Sequence, residues 1–234
     1  YVGKDPNNEY QSPYNRQTWW MGVIPGLCCP SDGNSSVSSS DLIAGNYCFS
    51  EADYIYNQYG NWGNTRSPFG MQKRRNSYDQ WYNSSWGAGA YTLAAVVDGT
   101  SNTIALSERV SSPNMAASEY KQIKGGFANG VSPWANLPNV CFAKRGSGGQ
   151  YADGVATCGG SNTNLFYYSV NNAFFQTILP PNAPSCTSDN GFSGCAYLPP
   201  TSNHSGGVNA LRVDGSGTFV SDTIDTNGSS ATCV

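Results

Sequence analysis

The stretch "SNHSGGVNALRVDGSGTFVSDTID" (residues 202–225) contains two β-like runs, VNALRV and GTFVSDTI, on either side of Asp214-Gly215. An Asp-Gly pair between two such runs predicts a β-hairpin, since a type I′ turn needs a positive φ at both of its central residues. We therefore expect a C-terminal β-hairpin with Asp214 and Gly215 in its turn.

The same stretch holds the only histidine of the chain, His204. A catalytic histidine needs a nucleophile and an orienting acid within hydrogen-bonding reach. Ser202 and Ser205 are near in sequence, but no nucleophile-elbow pattern surrounds them. We expect a structural role instead, in which His204 fixes a loop through hydrogen bonds while Gly206 and Gly207 let the backbone turn. The sequence is not interpreted as that of an enzyme.

The composition is poor in charge for a chain of 234 residues. Charged residues make up 12% of it, about half of the roughly 25% that is usual for a soluble domain. Such a surface is either covered by neighbouring subunits or glycan, or it is the neutral polar surface of a secreted protein. The net charge of −3 argues against nucleic acid as a partner. No phosphate-binding loop, zinc signature or cofactor motif is present, so no cofactor is predicted.

The cysteines predict a disulfide framework, because their number is even and no CxxC pair occurs. The eight positions are Cys28, Cys29, Cys48, Cys141, Cys158, Cys186, Cys195 and Cys233. Short loops favour two local pairs, Cys186–Cys195 and Cys141–Cys158. Of the adjacent cysteines Cys28 and Cys29, one would bond to Cys48. The other would bond to Cys233. A disulfide framework indicates an oxidising, extracellular or cell-surface location.

Two further kinds of site are candidates on spacing alone. Four N-x-S/T sequons offer possible glycosylation sites at Asn34, Asn83, Asn203 and Asn227. Asp98, Asn102 and Glu108 could supply oxygen ligands to Ca²⁺, although their spacing is not that of an EF-hand loop. The alternative is a turn that leads into a strand, with Asn102 and Thr103 bonding to the backbone.

An aromatic stretch has three possible interpretations: a sugar-stacking platform, subunit contacts, or ordinary core. Its residues are Tyr54, Tyr56, Tyr59, Trp62, Trp81, Tyr82 and Trp86. They lack the clean period of a core strand or helix, and Tyr and Trp are enriched at subunit contacts. We favour subunit contact over sugar binding.

The expected fold is α+β and predominantly β, in a single domain over residues 1–234. The best helical pattern is short, "NMAASEYKQIK" (residues 114–124). No signal peptide, transmembrane segment or heptad pattern appears.

Four segments, in this order, resemble the DUF1559 proteins, a bacterial group also described as a family 10 solute-binding domain. They are "CPSD" (29–32), "DGTSNTIALSER" (98–109), "ILPPNAPSC" (178–186) and "SNHSGGVNALRVDGSGTFVSDTI" (202–224). The last one is similar to a His, nine residues, Asp-Gly signature associated with prepilin-type processing.

The resemblance implies a pilin-like protein whose cleaved leader and long hydrophobic helix precede a disulfide-bonded, β-rich globular head. The N-terminal hydrophobic helix is absent from this chain, whose start, "YVGKDP", looks like the beginning of the head. Membrane contact would be made only through that missing helix. We therefore expect an extracellular structural subunit that self-assembles into a pilus-like filament or surface appendage. The alternative is a secreted carbohydrate- or solute-binding module.

Overall fold

A computed structural model describes residues 25–33, 45–51, 53, 68–69, 92–112, 119–131, 136–159, 174–188 and 196–226. Several predicted site residues lie outside these ranges: Asn34, Tyr54, Tyr56, Tyr59, Trp62, Trp81, Tyr82, Asn83, Trp86, Cys195, Asn227 and Cys233.

The described residues are mostly β, as the sequence predicted. The strands are β1 (Tyr47–Ser50), β2 (Ile104–Glu108), β3 (Gly126–Asn129), β4 (Thr157–Gly159), β5 (Phe174–Phe175), β6 (Cys186–Thr187), β7 (Ala196–Tyr197), β8 (Gly207–Arg212) and β9 (Gly217–Ser221). The helices in this part of the chain are short: α1 (Pro138–Phe142) and 3-10 turns at Pro25–Leu27 and Leu93–Ala95.

One sheet has five strands in the order β5-β1-β2-β8-β9. β2 pairs antiparallel with β1 and β8, whereas β5 pairs parallel with β1. Along β8, buried Val208 and Ala210 alternate with exposed Asn209 and Leu211. This alternation indicates that at β8 one face of the sheet packs on the interior while the other faces outward.

The other sheet has the order β4-β3-β6-β7 and carries an apolar cluster on each face. Phe127 pairs with Cys158 across β3 and β4, and Ala128 pairs with Cys186 across β3 and β6. Neighbouring residues of a strand point to opposite faces, and directly paired residues share a face. Phe127 and Cys158 therefore belong to one face and Ala128 and Cys186 to the other.

Arg109 lies where the two sheets meet. Phe174 of β5, in the first sheet, packs against the cluster that contains Phe127, in the second. The Arg109 side chain is 1% exposed; its guanidinium carbon lies 5.9 Å from the Phe127 ring centroid, and Nη1 donates to the Phe174 carbonyl at 3.2 Å. Burial lowers the pKa of Arg109 from its usual value.

The loop between β8 and β9 differs from the predicted type I′ turn. The Arg212 N–H donates to the Ser216 carbonyl at 2.9 Å, and the Gly215 N–H donates to the Arg212 carbonyl at 3.0 Å. Gly215 has a φ of 87°, but Asp214 does not have a positive φ. This pattern fits a three-residue loop in which a left-handed glycine follows a type I turn, so the predicted turn type is wrong.

The disulfide of the described residues joins Cys141 to Cys186, with 5.9 Å between the Cα atoms. The predicted pairs Cys141–Cys158 and Cys186–Cys195 are therefore wrong. The reason is the strand alternation described above, which places Cys158 on the opposite face of the sheet from Cys186. Cys141 belongs to the apolar cluster on the Cys186 face, so the more distant cysteine in sequence is the one within reach.

The predicted bond from Cys48 to Cys28 or Cys29 is also not formed. Cys48 is completely buried on β1, and this burial raises the pKa of its thiol to about 12.

The helix predicted over residues 114–124 is wrong for residues 119–124, which the structure describes. There Gln122 forms a β-bridge with Gln150 and the chain is otherwise irregular. Within the described ranges, none of the helices has the length and apolar character required to cross a membrane.

Candidate functional site

Three potential donor side chains from distant parts of the chain meet beside the end of β2. His204 Nε2 lies 3.2 Å from Glu108 Oε1 and 3.5 Å from Cys29 Sγ. The three donor atoms all lie within 4.8 Å of one another. Cys29 and Glu108 are buried, while the His204 side chain is 34% exposed, so the cluster can be reached from solvent on the histidine side.

Asn209 holds the Glu108 carboxylate in place. The backbone N–H of Asn209 donates to Oε2 at 3.0 Å, and its side-chain Nδ2 donates to Oε1 at 3.2 Å. Both carboxylate oxygens therefore have partners although the residue is buried, as a buried polar group requires.

A buried polar network supports the loop that carries Cys29. The Cys29 N–H donates to Asn46 Oδ1 at 2.7 Å. Asn46 Nδ2 donates to Asp32 Oδ2 at 2.6 Å and to the Arg109 carbonyl at 3.0 Å. Asp32 Oδ2 also accepts the Ser111 N–H at 2.9 Å. Since Asp32 and Asn46 are buried, these bonds fix the Cys29–Asp32 segment against β1 and β2.

The loop that carries His204 is fixed by Ser202 and Asn182. Ser202 Oγ accepts the His204 N–H at 3.1 Å and donates to the Gly207 carbonyl at 2.8 Å. Asn182 Oδ1 accepts the Ser202 N–H at 3.0 Å. Asn182 itself has a φ of 58°, a left-handed conformation that asparagine tolerates better than most residues.

The two glycines after His204 have different roles. Gly206 has a φ of 80° and makes the turn into β8, as predicted for both glycines. At Gly207 the requirement is space: an added Cβ would overlap the Val220 carbonyl and lie 2.9 Å from two atoms of the Phe219 ring. Gly207 thus allows β9 to lie close beside the start of β8.

The cluster does not have the geometry of a Cys-His-acid catalytic triad. In such a triad the nucleophile and the acid contact different nitrogens of the imidazole. Here Cys29 and Glu108 both contact Nε2 of His204. The arrangement is instead one of three donors that converge on a single point.

The predicted Ca²⁺ ligands are not brought together. Asn102 Nδ2 donates to the Asp98 carbonyl at 3.0 Å, and Thr103 Oγ1 donates to the Gly99 carbonyl at 3.1 Å, which is the alternative turn arrangement. Asp98 precedes β2 while Glu108 ends it, and the strand alone spans about 13 Å at roughly 3.3 Å per residue. Glu108 contacts His204 instead.

Asn203 is the candidate glycosylation site that the structure describes. It is exposed next to the cluster, and its Nδ2 donates to the Ser31 carbonyl at 3.0 Å.

Sequence reasoning missed Cys29 as a site residue because it was assigned to a disulfide, and it did not single out Asn46 or Asn209. The available signal was that Cys29, Glu108 and His204 each fall within one of the four family segments. The remaining segment supplies Asn182.

Residues 1–227 match the model of a family described as "Protein of unknown function (DUF1559)", so the chain belongs to the DUF1559 family. Comparisons with curated proteins and with solved structures give no significant match.

Proposed function

We propose that the protein is an extracellular structural subunit, the head of a pilin-like protein that assembles through repeated contacts between identical copies. Membership of the family and the low content of charged residues support this proposal. The observation that carries it is the surface formed by β9 and the outward face of β8.

β9 is the last strand of its sheet among the described strands. Soluble proteins usually protect such an edge with charged residues, proline or a covering segment, because unpaired backbone groups recruit other strands. The sequence of β9, Gly217–Ser221, contains neither a charged residue nor a proline. An edge of this kind is suited to pairing with a second copy of the chain.

Apolar side chains cover the outward face next to this edge. Phe219, in the middle of β9, is 52% exposed, and Leu211 of β8 is 36% exposed. Phe219 pairs with Asn209, and Leu211 lies two residues further along β8, so Phe219 and Leu211 point to the same face. Aromatic and aliphatic side chains in such a position stabilise a subunit contact when they are buried.

A filament needs two different contact surfaces on each subunit, since a contact between identical surfaces closes into a dimer. α1 offers a second surface, because its residues Val140 and Phe142 are partly exposed and apolar. Leu137, which directly precedes the helix, is also partly exposed. We assign one contact to the β9 edges of two copies, which can pair as strands, and the other contact to the α1 surfaces of two copies, so that the chain of subunits stays open.

A single added charge tests this assignment. In Phe219→Asp, burial of the contact would require desolvation of a carboxylate, so assembly should be abolished or the critical concentration raised at least tenfold. Ala94→Asp is the matched control, since Ala94 is exposed on the 3-10 turn at Leu93–Ala95 and should leave assembly unchanged.

Sedimentation and light scattering over a concentration series would measure both variants, and circular dichroism would show that each is folded. A wild-type chain that stays monomeric and binds an oligosaccharide or small solute would favour a binding module and contradict the proposal. Equal assembly of wild type and Phe219→Asp would contradict the β9 contact.

A further inference from the structure

We propose that Cys29, Glu108 and His204 bind one Zn²⁺ ion, which ties the N-terminal loop to the loop before β8. This proposal does not rest on the proposed assembly, although Asn209 beside the site pairs with Phe219 of the contact surface, and the site differs from the Ca²⁺ site that the sequence suggested.

Two of the three separations between donor atoms match tetrahedral zinc, and the third, between Cys29 and Glu108, lies within 4.8 Å. Zinc–ligand bonds are about 2.3 Å for cysteine sulfur, about 2.0–2.1 Å for histidine nitrogen and about 2.0–2.2 Å for carboxylate oxygen. Tetrahedral angles then place sulfur and nitrogen about 3.5 Å apart, and nitrogen and oxygen about 3.3 Å apart. The observed separations are 3.5 Å for Cys29 Sγ to His204 Nε2 and 3.2 Å for Nε2 to Glu108 Oε1.

The chemistry of the donors selects the class of ion. A thiolate and an imidazole suit zinc and similar transition metals, whereas Ca²⁺ and Mg²⁺ require shells of oxygen ligands. One sulfur, one nitrogen and one oxygen donor leave a fourth tetrahedral position for water, toward the exposed side of His204. The thiolate and the carboxylate together carry two negative charges, which a divalent ion neutralises.

Surrounding groups already hold the three ligands in place. Asn209 holds Glu108 through two hydrogen bonds, and Ser31 Oγ lies 3.0 Å from Cys29 Sγ, where it can donate to a thiolate. The backbone of Cys29 is fixed by Asn46, and that of His204 by Ser202. Outer contacts of this kind are characteristic of metal sites, and their removal costs about 10–100-fold in affinity.

Cobalt substitution of the full 234-residue chain tests the site. After treatment with a chelator, titration with Co²⁺ should give one equivalent bound and a thiolate-to-cobalt charge-transfer absorption band. Zn²⁺ should displace the Co²⁺. Cys29→Ser should lose the band and bind Zn²⁺ at least tenfold more weakly, while Asn209→Ala should keep the band with about 10–100-fold lower affinity.

Cys28→Ser is the matched control, because Cys28 is the adjacent cysteine but not a member of the cluster. It should behave as the wild type does. Loss of the band in Cys28→Ser but not in Cys29→Ser would overturn the assignment, and so would equal Zn²⁺ affinity of Cys29→Ser and wild type.

A second measurement on the unmodified chain avoids any effect of a variant on folding. Alkylation followed by peptide mass mapping should show Cys29 as a reactive thiol without metal and as a protected one with Zn²⁺. Alkylation of Cys29 at the same rate with and without Zn²⁺, or a disulfide between Cys29 and Cys233, would overturn the proposal.

Discussion

Glu108 Oε1 and His204 Nε2 lie 3.2 Å apart although 96 residues separate them in the sequence. The contact joins the end of β2 to the loop before β8, and Glu108 is buried there while His204 reaches solvent. The histidine is therefore placed to stabilise the packing of two segments.

His204→Ala should lower the free energy of unfolding by about 1–2 kcal/mol, because buried Glu108 loses a hydrogen-bonding partner. Urea unfolding in the presence of a chelator measures this effect without a contribution from bound metal. Ser205→Ala is the control, since Ser205 is exposed beside it and should change stability little. A His204→Ala variant as stable as the control would contradict the structural role.

The Cys141–Cys186 bond should contribute about 4 kcal/mol, since it closes a loop over a sequence separation of 45. Replacement of both cysteines by serine should cost most of that amount in chemical denaturation. Mass mapping of peptides from the oxidised chain provides the direct check. A peptide that links Cys141 to Cys158 would show that the strand alternation has been misassigned.

Glu51 should make stability depend on pH. It is 7% exposed, burial raises its pKa to about 8, and the hydrogen bond from Gln176 Nε2 only partly opposes this rise. Between the unfolded pKa of about 4.5 and the folded pKa, the folded state holds a proton that the unfolded state releases. The contribution of Glu51 to stability therefore falls as pH rises through this window, by up to about 1.4 kcal/mol per pH unit.

Glu51→Gln keeps an acceptor for Gln176 and removes the titration. The free energy of unfolding of this variant, relative to wild type, should increase from pH 5 to pH 8 and level off above that. Parallel pH dependences of the two proteins over this range would show that Glu51 keeps an ordinary pKa.

Gly206→Ala and Gly207→Ala should differ in severity. The first substitution places a Cβ in a left-handed conformation, which costs about 1–2 kcal/mol. The second brings a Cβ against the Val220 carbonyl, and relief requires β9 to move, so a larger loss is expected. Thermal unfolding of the two variants compares them directly, and a milder effect at Gly207 would contradict the described register of β8 and β9.

The β-rich class could be predicted from sequence because it depends on local patterns. "NTIALSERV" has the β-branched and apolar content of a strand, and β2 covers Ile104–Glu108 within it. The turn at Asp214-Gly215 shows the limit of such patterns. An Asp-Gly pair suits more than one hairpin loop, and here the Asp214 side chain accepts hydrogen bonds from the Ser216 N–H and hydroxyl, which also hold its pKa below the usual value.

The disulfide and the donor cluster could not be predicted, because both depend on which strands become neighbours. The short sequence spacing favoured Cys158 as the disulfide partner of Cys141. The parallel pairing of β3 and β6 instead places Cys186 on the face of the sheet where Cys141 lies. In the same way, Cys29 lies 175 residues before His204 in sequence. The local sequence pattern around each residue does not show that the two side chains meet in the folded protein.

Electron microscopy of the native protein tests the central claim most directly. A sequence with few charged residues and a β9 edge that no other described strand covers lead us to expect helical filaments or fibrils of identical subunits, with large contacts between neighbouring heads. A uniform population of single particles of about the mass of one chain, 24.9 kDa, at the same concentration would contradict assembly as the function of this protein.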